Sequence, residues 1–438
     1  MKQLVNLKNS LINNPFMKSI SILAAGTAIS HLFIFLTTPI LTHLYSPEQF
    51  GVFSIYLSLL YSLSVIASLM YDQAIPLPKD DQEGWDALVL SLMIAVIISI
   101  IVFVCALIIP IGKWVGAPEL DRYAWMLAVS VFGIGWFQAF NSWSIRMRDF
   151  SSISRSKINM NSGQMVSQIT LGFFQAGIFG LLAGEVIGRI SGFVTFLKYL
   201  FKNKPKVTLF CFQGVKRAII RYKNFPLISS WSAFINISGA RIPAIFLAAH
   251  YGPAVAGWYL LAEKILTVPE ALLGYSVKQV YMSESSRLHA RGEEFSSLFW
   301  MTVKKMSLIG GGIIGIIALA VPPFIPMLFG QEWKEAGSYL HIIALLFFMR
   351  IVVNPIASNF YVLESQGLQI VSELIRFSLI CLSMIISYFY IERAALAILV
   401  ISCLSSIGYL AYGIVSWHIV RKHFRKAGRS VSGERIES

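Results

Sequence analysis

Long apolar runs, each sufficient to cross a lipid bilayer as a helix, recur from one end of the chain to the other. A helix that crosses the hydrocarbon core needs about 20 mostly apolar residues, and only 13% of the 438 residues are charged. The runs predict twelve spans, at residues 18–44, 48–77, 85–111, 121–146, 157–178, 180–201, 224–249, 253–281, 298–327, 336–361, 368–390 and 395–420. Backbone groups in lipid must pair within the protein, which favours helices. We therefore predict an all-α polytopic membrane protein of about twelve transmembrane helices.

Lysines and arginines cluster in the loops that follow the even-numbered predicted spans. The segment 202–223 alone carries seven of them, and the tail at 421–438 is also basic. Short cytoplasmic loops carry an excess of Lys and Arg, so we predict that these loops and both termini are cytoplasmic. The net charge of +14 then reflects membrane orientation rather than nucleic-acid binding.

The basic segment 202–223 divides the chain near its middle, which raises the question of an internal repeat. Residues 45–53 (YSPEQFGVF) and 251–259 (YGPAVAGWY) share Tyr, Pro and Gly at a constant offset of 206 residues. Each segment joins the first span of a half to the second, and halves of six spans start on the same side, so the repeat is parallel. We predict a six-helix lobe at 1–201, a basic cytoplasmic linker at 202–223, a second six-helix lobe at 224–420 and a basic cytoplasmic tail at 421–438.

Three basic residues inside the predicted spans have no opposite charge at helical spacing on their own helix face: Arg241, Lys264 and Arg350. A charge at the bilayer centre costs roughly 2.5–3.5 kcal/mol on insertion scales. Such residues must therefore face a wet cavity, a partner or an interface, and we predict that they form an anion site. Arg146, at the end of the fourth span, either belongs to this set or is a topology residue at the membrane edge.

Other polar and small residues in the spans suggest structural contacts. Two oppositely charged pairs share a helix face and are predicted to neutralise each other: Glu185 with Arg189, and Glu373 with Arg376. Three acidic residues have no such neighbour: Asp72, Glu263 and Glu270. Each of these either carries a coupling cation or proton, or pairs with a basic residue across a cavity. A glycine series spaced by four residues predicts close helix packing in the sixth span: Gly184, Gly188 and Gly192.

The chain shows no residue pattern typical of a metal site or a catalytic centre. Its four cysteines form no CxxC pair: Cys105, Cys211, Cys381 and Cys403. The sequence also has no P-loop, HExxH or nucleophile-elbow motif. We therefore predict no metal, no cofactor and no catalytic residue, so the chain is predicted not to be an enzyme.

Two segments near the N-terminus resemble the bacterial polysaccharide and O-antigen flippases of the multidrug/oligosaccharidyl-lipid/polysaccharide exporter superfamily. They are TPILTHLYSPEQFGVFSIYLSLL (38–60) and YDQAIPLPKDDQE (71–83), and the twelve-span layout extends the resemblance over nearly the whole chain. The resemblance implies two six-helix lobes around a partly cationic cavity. It also implies that an undecaprenyl-pyrophosphate-linked oligosaccharide crosses the bacterial inner membrane by alternating access, coupled to a proton, a sodium ion or the membrane potential. Polysaccharide polymerase machinery is an implied partner.

This implied cargo gives the polar residues expected roles. The pyrophosphate is expected to bind Arg241, Lys264, Arg350 and Arg146. The sugar is expected to contact hydroxyl and amide groups, of Tyr61, Gln138, Asn161, Gln168 and Asn354. Ion coupling would involve Asp72, Glu263 and Glu270. The alternatives are a drug or small-molecule exporter of the same superfamily, and a membrane glycan polymerase, whose large outer catalytic loop the short predicted outer loops do not provide.

Overall fold

The computed structural model describes residues 32–202, 207–208 and 210–433, and no strand occurs in these ranges. The longer helices are α1 Leu32–Leu44, α2 Pro47–Ile66, α3 Asp81–Ile108, α4 Trp125–Arg146, α5 Phe150–Phe173, α6 Ile178–Lys202, α7 Phe212–Arg221, α8 Ser230–Tyr251, α9 Pro253–Ala290, α10 Ser296–Ala320, α11 Lys334–Ile356, α12 Gln366–Tyr390 and α13 Ala394–Gly433. Every predicted span from the second onward overlaps one of these helices, but the second was predicted to reach residue 77, whereas α2 ends at Ile66 and a turn follows it. The prediction of an all-α polytopic membrane protein is confirmed, while residues 18–31 of the first predicted span lie outside the described residues.

The helices differ in how apolar they are. Among the described residues, eight are long and apolar enough to cross a membrane by length and composition. They correspond to predicted spans two, three, six, seven and nine to twelve. The helices α4, α5 and α9 coincide with the other spans but are more polar, and α5 carries the amide-rich face that begins at Asn161. Polar residues on a span indicate a face that packs on protein or lines a wet cavity.

Short joints separate consecutive helices and are built from residues suited to helix ends. Ser46 caps α2: its hydroxyl accepts from the backbone N–H of Gln49, whose side chain accepts in return from the Ser46 N–H. Pro47 stands in the first turn of α2, where the missing N–H is no loss. The joint between α8 and α9 has Gly252 at a φ of +97°, followed by Pro253. The positive φ is readily reached only by glycine, so the turn depends on that residue.

The two segments that the sequence repeat equates lie in contact with each other. A Cβ atom placed on Gly51 would overlap the carbonyl oxygen of Pro253, and one placed on Gly257 would overlap the carbonyl oxygen of Pro47. The offset of 206 residues relates Pro47 to Pro253 and Gly51 to Gly257. Each glycine of one copy therefore touches the proline of the other copy. This exchange of roles is what a local two-fold axis produces, and it supports the predicted repeat.

The first of two compact units extends from Met1 to Gly257. Its aromatic core joins α3, α4 and α6, where Trp85 and Trp143 meet edge to face with ring centres 5.2 Å apart. Helix α8 packs along α2 within this unit, although the predicted second lobe begins at residue 224. The compact units are defined by contacts and meet after Gly257, whereas the predicted lobes are defined by an internal repeat and meet at the segment 202–223. The predicted lobes, linker and tail therefore remain predictions.

The second compact unit extends from Trp258 to Ser438. Its core joins α9, α10, α11 and α13 around Phe299, Phe360 and Tyr412. The hydroxyl of Tyr281 donates to Asn359, and the Asn359 amide donates to Ser416 at 3.0 Å. These three buried polar side chains are thus paired with one another.

The basic segment predicted as a linker contains a helix, α7, that lies on the start of α3. Gly214, Val215 and Ala218 are the buried residues of α7. The Gln82 side chain both donates to and accepts from the backbone of Thr208, at 3.1 and 2.7 Å. The segment is therefore fixed to the first unit rather than being a plain connecting loop.

Candidate functional site

Three helices of the first unit bring charged and aromatic side chains together around Tyr61. Tyr61 lies on α2, and the guanidinium carbon of Arg241, on α8, is 4.8 Å from the centre of its ring. The guanidinium carbon of Arg189, on α6, is 5.6 Å from the same ring centre. Both distances are within the roughly 6 Å at which a cation is attracted by a ring face. Two residues that were predicted separately, one for the anion and one for the sugar, are therefore neighbours.

Arg189 is buried and already has an acidic partner. Its Nη2 lies 2.6 Å from a carboxylate oxygen of Glu185, one helical turn away. The Gln164 amide, on α5, donates to the second carboxylate oxygen at 2.6 Å. A buried charge without a partner is strongly destabilising, and this network compensates both ions. The predicted neutralisation of Glu185 by Arg189 is confirmed.

Arg189 also donates from Nη2 to the Tyr61 hydroxyl at 3.3 Å. The sequence predicts only that Arg189 neutralises Glu185, and it does not predict the contact of Arg189 with Tyr61. Spacing along α6 reports only which residues share a face of that helix, and no signal in the sequence connects α6 to a residue on α2.

Arg241 lies in the middle part of α8 and is half-buried. A guanidinium group contacts a ring through its flat face, whereas its N–H donors point outward in its plane. Contact with Tyr61 and hydrogen bonding to an anion therefore use different parts of the group. The Tyr61 ring is one of the groups that contact this guanidinium.

The second unit has its own charged cluster, between α9 and α11. Arg350 donates from Nε to Glu270 at 2.9 Å, and the Asn354 amide donates to the same carboxylate oxygen at 3.2 Å. The guanidinium carbon of Arg350 also lies 4.6 Å from the centre of the Phe347 ring. Of the two alternatives for Glu270, pairing with a basic residue is thus observed. Its coupling role stays a prediction.

Arg146 has a different kind of environment from the other predicted anion ligands. Its guanidinium bonds Asp81 at 2.8 Å and donates to the backbone oxygens of Pro78 and Ile75, at 2.7 and 3.2 Å. These contacts join the end of α4 to the segment before α3. The two predicted roles of Arg146, as an anion ligand or as a topology residue at the membrane edge, stay predictions.

Of the remaining predicted residues, Glu263 lies within electrostatic range of Arg350. The buried Asp72 accepts hydrogen bonds from Ser68 and Gln73 in the turn after α2. Gln168 is fully buried and donates to the Leu181 oxygen at 2.9 Å, so it joins α5 to α6. Gln138 is half-buried on α4 and Asn161 is buried on α5, while Glu263 and Lys264 are half-buried on α9. Their predicted roles are neither supported nor excluded by these positions.

Two further structural predictions are confirmed. Arg376 bonds Glu373 at 2.6 Å on α12, as their spacing indicated. A Cβ on Gly184 or Gly188 would press on Gln168 or Gln164 of α5, so these glycines of α6 allow close helix packing. Among the described residues no group of three or more His, Cys, Asp and Glu side chains is placed to hold a metal ion.

Comparison with known proteins places the chain among membrane transport proteins of glycan synthesis. The sequence model of the family described as "Polysaccharide biosynthesis protein" matches residues 40–338. The succinoglycan biosynthesis transport protein ExoT of Rhizobium meliloti is 24% identical over 322 residues, which cover 71% of this chain and 62% of that protein. The lipopolysaccharide biosynthesis protein WzxC of Escherichia coli is 24% identical over 127 residues, which cover 29% of this chain and 26% of that protein. The chain thus matches less than two thirds of the length of either relative.

Solved structures show which fold the chain shares. The lipid II flippase MurJ in an inward closed conformation superposes with a TM-score of 0.71 at 15% identity, covering 90% of this chain and 87% of that one. An inward-facing multidrug resistance transporter of the MATE family superposes with a TM-score of 0.69 at 16% identity, covering 92% of this chain and 99% of that one. At such identities the similarity establishes the fold alone.

Proposed function

Because the chain belongs to the family of polysaccharide biosynthesis proteins, we propose that it is a flippase for a lipid-linked glycan. The proposed cargo is an undecaprenyl-pyrophosphate-linked oligosaccharide, such as an O-antigen or related repeat unit. Relatives named for succinoglycan transport and lipopolysaccharide biosynthesis support this cargo class. The proposal involves movement across the bacterial inner membrane by alternating access and no covalent step, so the protein is not an enzyme.

The observation that carries the proposal is the contact between Arg241 and Tyr61. The head of the cargo combines a diphosphate with a sugar attached directly to it. An arginine pairs with phosphate oxygens through two parallel hydrogen bonds. An aromatic ring with a hydroxyl offers the sugar an apolar face and a polar edge. Arg241 thus suits the diphosphate and the neighbouring Tyr61 suits the sugar. The lipid tail remains in the bilayer.

The Arg350–Glu270 pair suggests how an ion gradient is coupled to transport. The carboxylate of Glu270 and the cargo diphosphate compete for the same guanidinium. Protonation of Glu270 removes its negative charge and weakens the pair, whereas loss of the proton restores it, so the charge that Arg350 presents to an anion depends on the proton. Glu263, next to Lys264 on α9, and Asp72 are the other candidate carriers of a proton or sodium ion.

The proposed orientation follows from the positive charge of the loops. Both termini, the segment 202–223 and the other basic loops lie in the cytoplasm, where the cargo is assembled. The cargo leaves on the opposite face, where polysaccharide polymerase machinery takes it up.

The experiment that tests the proposal follows the cargo in a deletion strain of the source bacterium. Undecaprenyl-pyrophosphate glycans are extracted and assigned to a leaflet by their accessibility to an enzyme added from outside, and surface polysaccharide is measured in parallel. The proposal expects complete units held on the cytoplasmic face and loss of surface polymer. Units that reach the outer face normally would contradict it and favour a small-molecule exporter. Unpolymerised units that accumulate on the outer face would instead favour a polymerase.

Variants of the same strain test the site itself. Arg241→Ala is expected to lower export about tenfold or more, because a hydrogen bond to a charged group contributes about 1.5–3 kcal/mol. Arg241→Lys is expected to retain part of the activity because it keeps the charge. The matched control is Arg122→Ala, since Arg122 is exposed and also lies over a tyrosine ring, that of Tyr123, at 5.7 Å. Normal export by Arg241→Ala at normal protein levels would exclude this site.

A further inference from the structure

A cavity of about 320 Å³ lies between α5 and α6, at the ends of these helices that adjoin the basic loops. It is separate from the cluster around Tyr61. The residues that line it are Arg155, Ile158, Asn159, Thr195, Lys198 and Tyr199. This lining contains two cations, an amide, a hydroxyl and two apolar or aromatic surfaces, and it contains no acidic residue. Its chemistry is that of an anion site with an apolar wall.

The two cations come from different helices and are held toward the same space. Arg155, on α5, places its guanidinium carbon 5.6 Å from the centre of the Tyr199 ring, on α6. The Asn159 amide donates to the Thr195 hydroxyl oxygen at 3.0 Å, which fixes the helices to each other between the cations. Arg155 and Lys198 are both exposed. Like charges that line one cavity repel each other, so an anion between them is stabilised by both.

Each of the two helices also carries an exposed apolar residue on the face of its cation, further along the helix. Val166 lies eleven residues, or about 16 Å, from Arg155 on the same face of α5. Ile187 lies eleven residues from Lys198 on the same face of α6. Both are exposed large apolar residues. A basic cavity near the helix ends, with one exposed apolar side chain on each helix further along, fits a lipid with an anionic head and acyl chains.

We propose that this cavity binds the phosphate of an anionic membrane lipid. Basic pockets between transmembrane helices on the cytoplasmic side are suited to such headgroups. Arg155 and Lys198 bind the phosphate oxygens, Asn159 and Thr195 supply neutral hydrogen-bonding groups, and Ile158 contacts the start of an acyl chain. The site is independent of the proposed cargo, since it does not include any residue of the Tyr61 or Glu270 clusters.

The test is native mass spectrometry of the full chain released from detergent in the presence of phosphatidylglycerol. The wild type is expected to keep bound lipid at concentrations where phosphatidylcholine, which has no net charge, is lost. The double variant Arg155→Ala/Lys198→Ala is expected to bind phosphatidylglycerol about thirtyfold more weakly, given about 1 kcal/mol for each cation. The exchange variant Arg155→Lys/Lys198→Arg is expected to retain binding.

The matched control is Lys304→Ala/Lys305→Ala, which removes two exposed cations of α10 that are not among the residues lining this cavity. It is expected to bind phosphatidylglycerol as the wild type does. Equal loss in both double variants would overturn the proposal, because it would show a general effect of net charge. Displacement of the lipid by millimolar inorganic phosphate would also overturn it, because the acyl chains would then contribute nothing.

Discussion

Arg241 on α8 holds its guanidinium carbon 4.8 Å from the centre of the Tyr61 ring on α2. Arg189 reaches the same side chain from α6, at the ring and at the hydroxyl. Tyr61 thus links an arginine that is neutralised by Glu185 to one that is a candidate for cargo binding. Arg241 therefore contacts a ring that Arg189 also contacts.

Export is therefore expected to fall more when Tyr61 loses its ring than when it loses only its hydroxyl. Tyr61→Phe keeps the ring beside Arg241 and removes only the hydroxyl that faces the sugar and Arg189, so it should lower export less than loss of the whole ring does. Tyr61→Leu removes the cation–ring attraction, which contributes about 0.5–2 kcal/mol, and should lower export several-fold. Surface polysaccharide at equal protein level is the measurement. The control is Tyr123→Leu, which removes the ring beside the exposed Arg122, and an equal loss in both leucine variants would argue against a special role for Tyr61.

The Arg350–Glu270 pair is expected to show a coupling energy in thermal unfolding of the detergent-solubilised protein. Glu270→Ala and Arg350→Ala each leave a charge without its partner, whereas the double variant removes both charges. We expect the double variant to be more stable than the sum of the single effects predicts, by about 0.5–3 kcal/mol. The exposed pair Glu284–Arg287, at 2.6 Å, is the matched control, with an expected coupling of about 0–1 kcal/mol. Coupling no larger than in the control would show that the pair is solvated.

Glu270→Gln is expected to remove the dependence of transport on an imposed pH gradient. Glutamine keeps the size and an acceptor oxygen for Arg350 but does not titrate. Uptake of a lipid-linked glycan into inverted vesicles, with and without a gradient, is the measurement, and Glu284→Gln is the exposed control. If the glutamine variant still responds to the gradient as the wild type does, the coupling residue is another one, such as Asp72 or Glu263.

The helix positions and the ion pairs within one helix followed from the sequence. Apolar runs report spans directly, and the spacing of Glu185 from Arg189 reports a shared helix face. Contacts between helices did not follow, because periodicity states which residues share a face but not which helix covers it. The contact of Arg241 with Tyr61 and the bond of Arg350 to Glu270 both cross between helices, and neither was predicted as a specific pair.

The helix α7 was also missed, for a different reason. Its buried face consists mainly of small residues, which give only a weak apolar pattern. The many lysines and arginines of the segment therefore predicted a basic linker and not a packed helix. The structure shows that Gly214 allows this helix to lie close to α3, since a Cβ there would overlap the carboxylate of Asp86.

Gly214→Ala is accordingly expected to loosen α7 from α3. The added methyl group must displace Asp86, which is buried and accepts a hydrogen bond from Gln82 at 3.1 Å. Limited trypsin digestion should then cleave at Lys216 and Arg217 several-fold faster than in the wild type. Gly367→Ala, at a glycine with nothing within 4 Å of the added Cβ, should not change the rate. An unchanged rate in Gly214→Ala would mean that the close approach is dispensable.

Gly51→Ala and Gly257→Ala are both expected to lower the yield of folded protein sharply. Each added methyl group would overlap a backbone carbonyl oxygen, of Pro253 or of Pro47, and backbone cannot move aside as a flexible side chain does. Yield of monodisperse protein after detergent extraction is the measurement.

Gly312→Ala is the matched control for these two variants, because it adds the same methyl group at a helical glycine with nothing within 4 Å. It is expected to leave the yield unchanged. Normal yield of either Gly51→Ala or Gly257→Ala would contradict the close approach of the two segments.

The exchanged contacts of these glycines and prolines have an evolutionary consequence. An isologous interface between identical subunits contains every contact twice, with the two partners exchanged. The contacts of Gly51 with Pro253 and of Gly257 with Pro47 have this form within a single chain. A gene for one six-helix polypeptide, with one such proline and one such glycine, would have made both contacts by homodimerisation. Fusion of two copies of that gene would preserve the interface while allowing the two halves to diverge in the rest of their sequence.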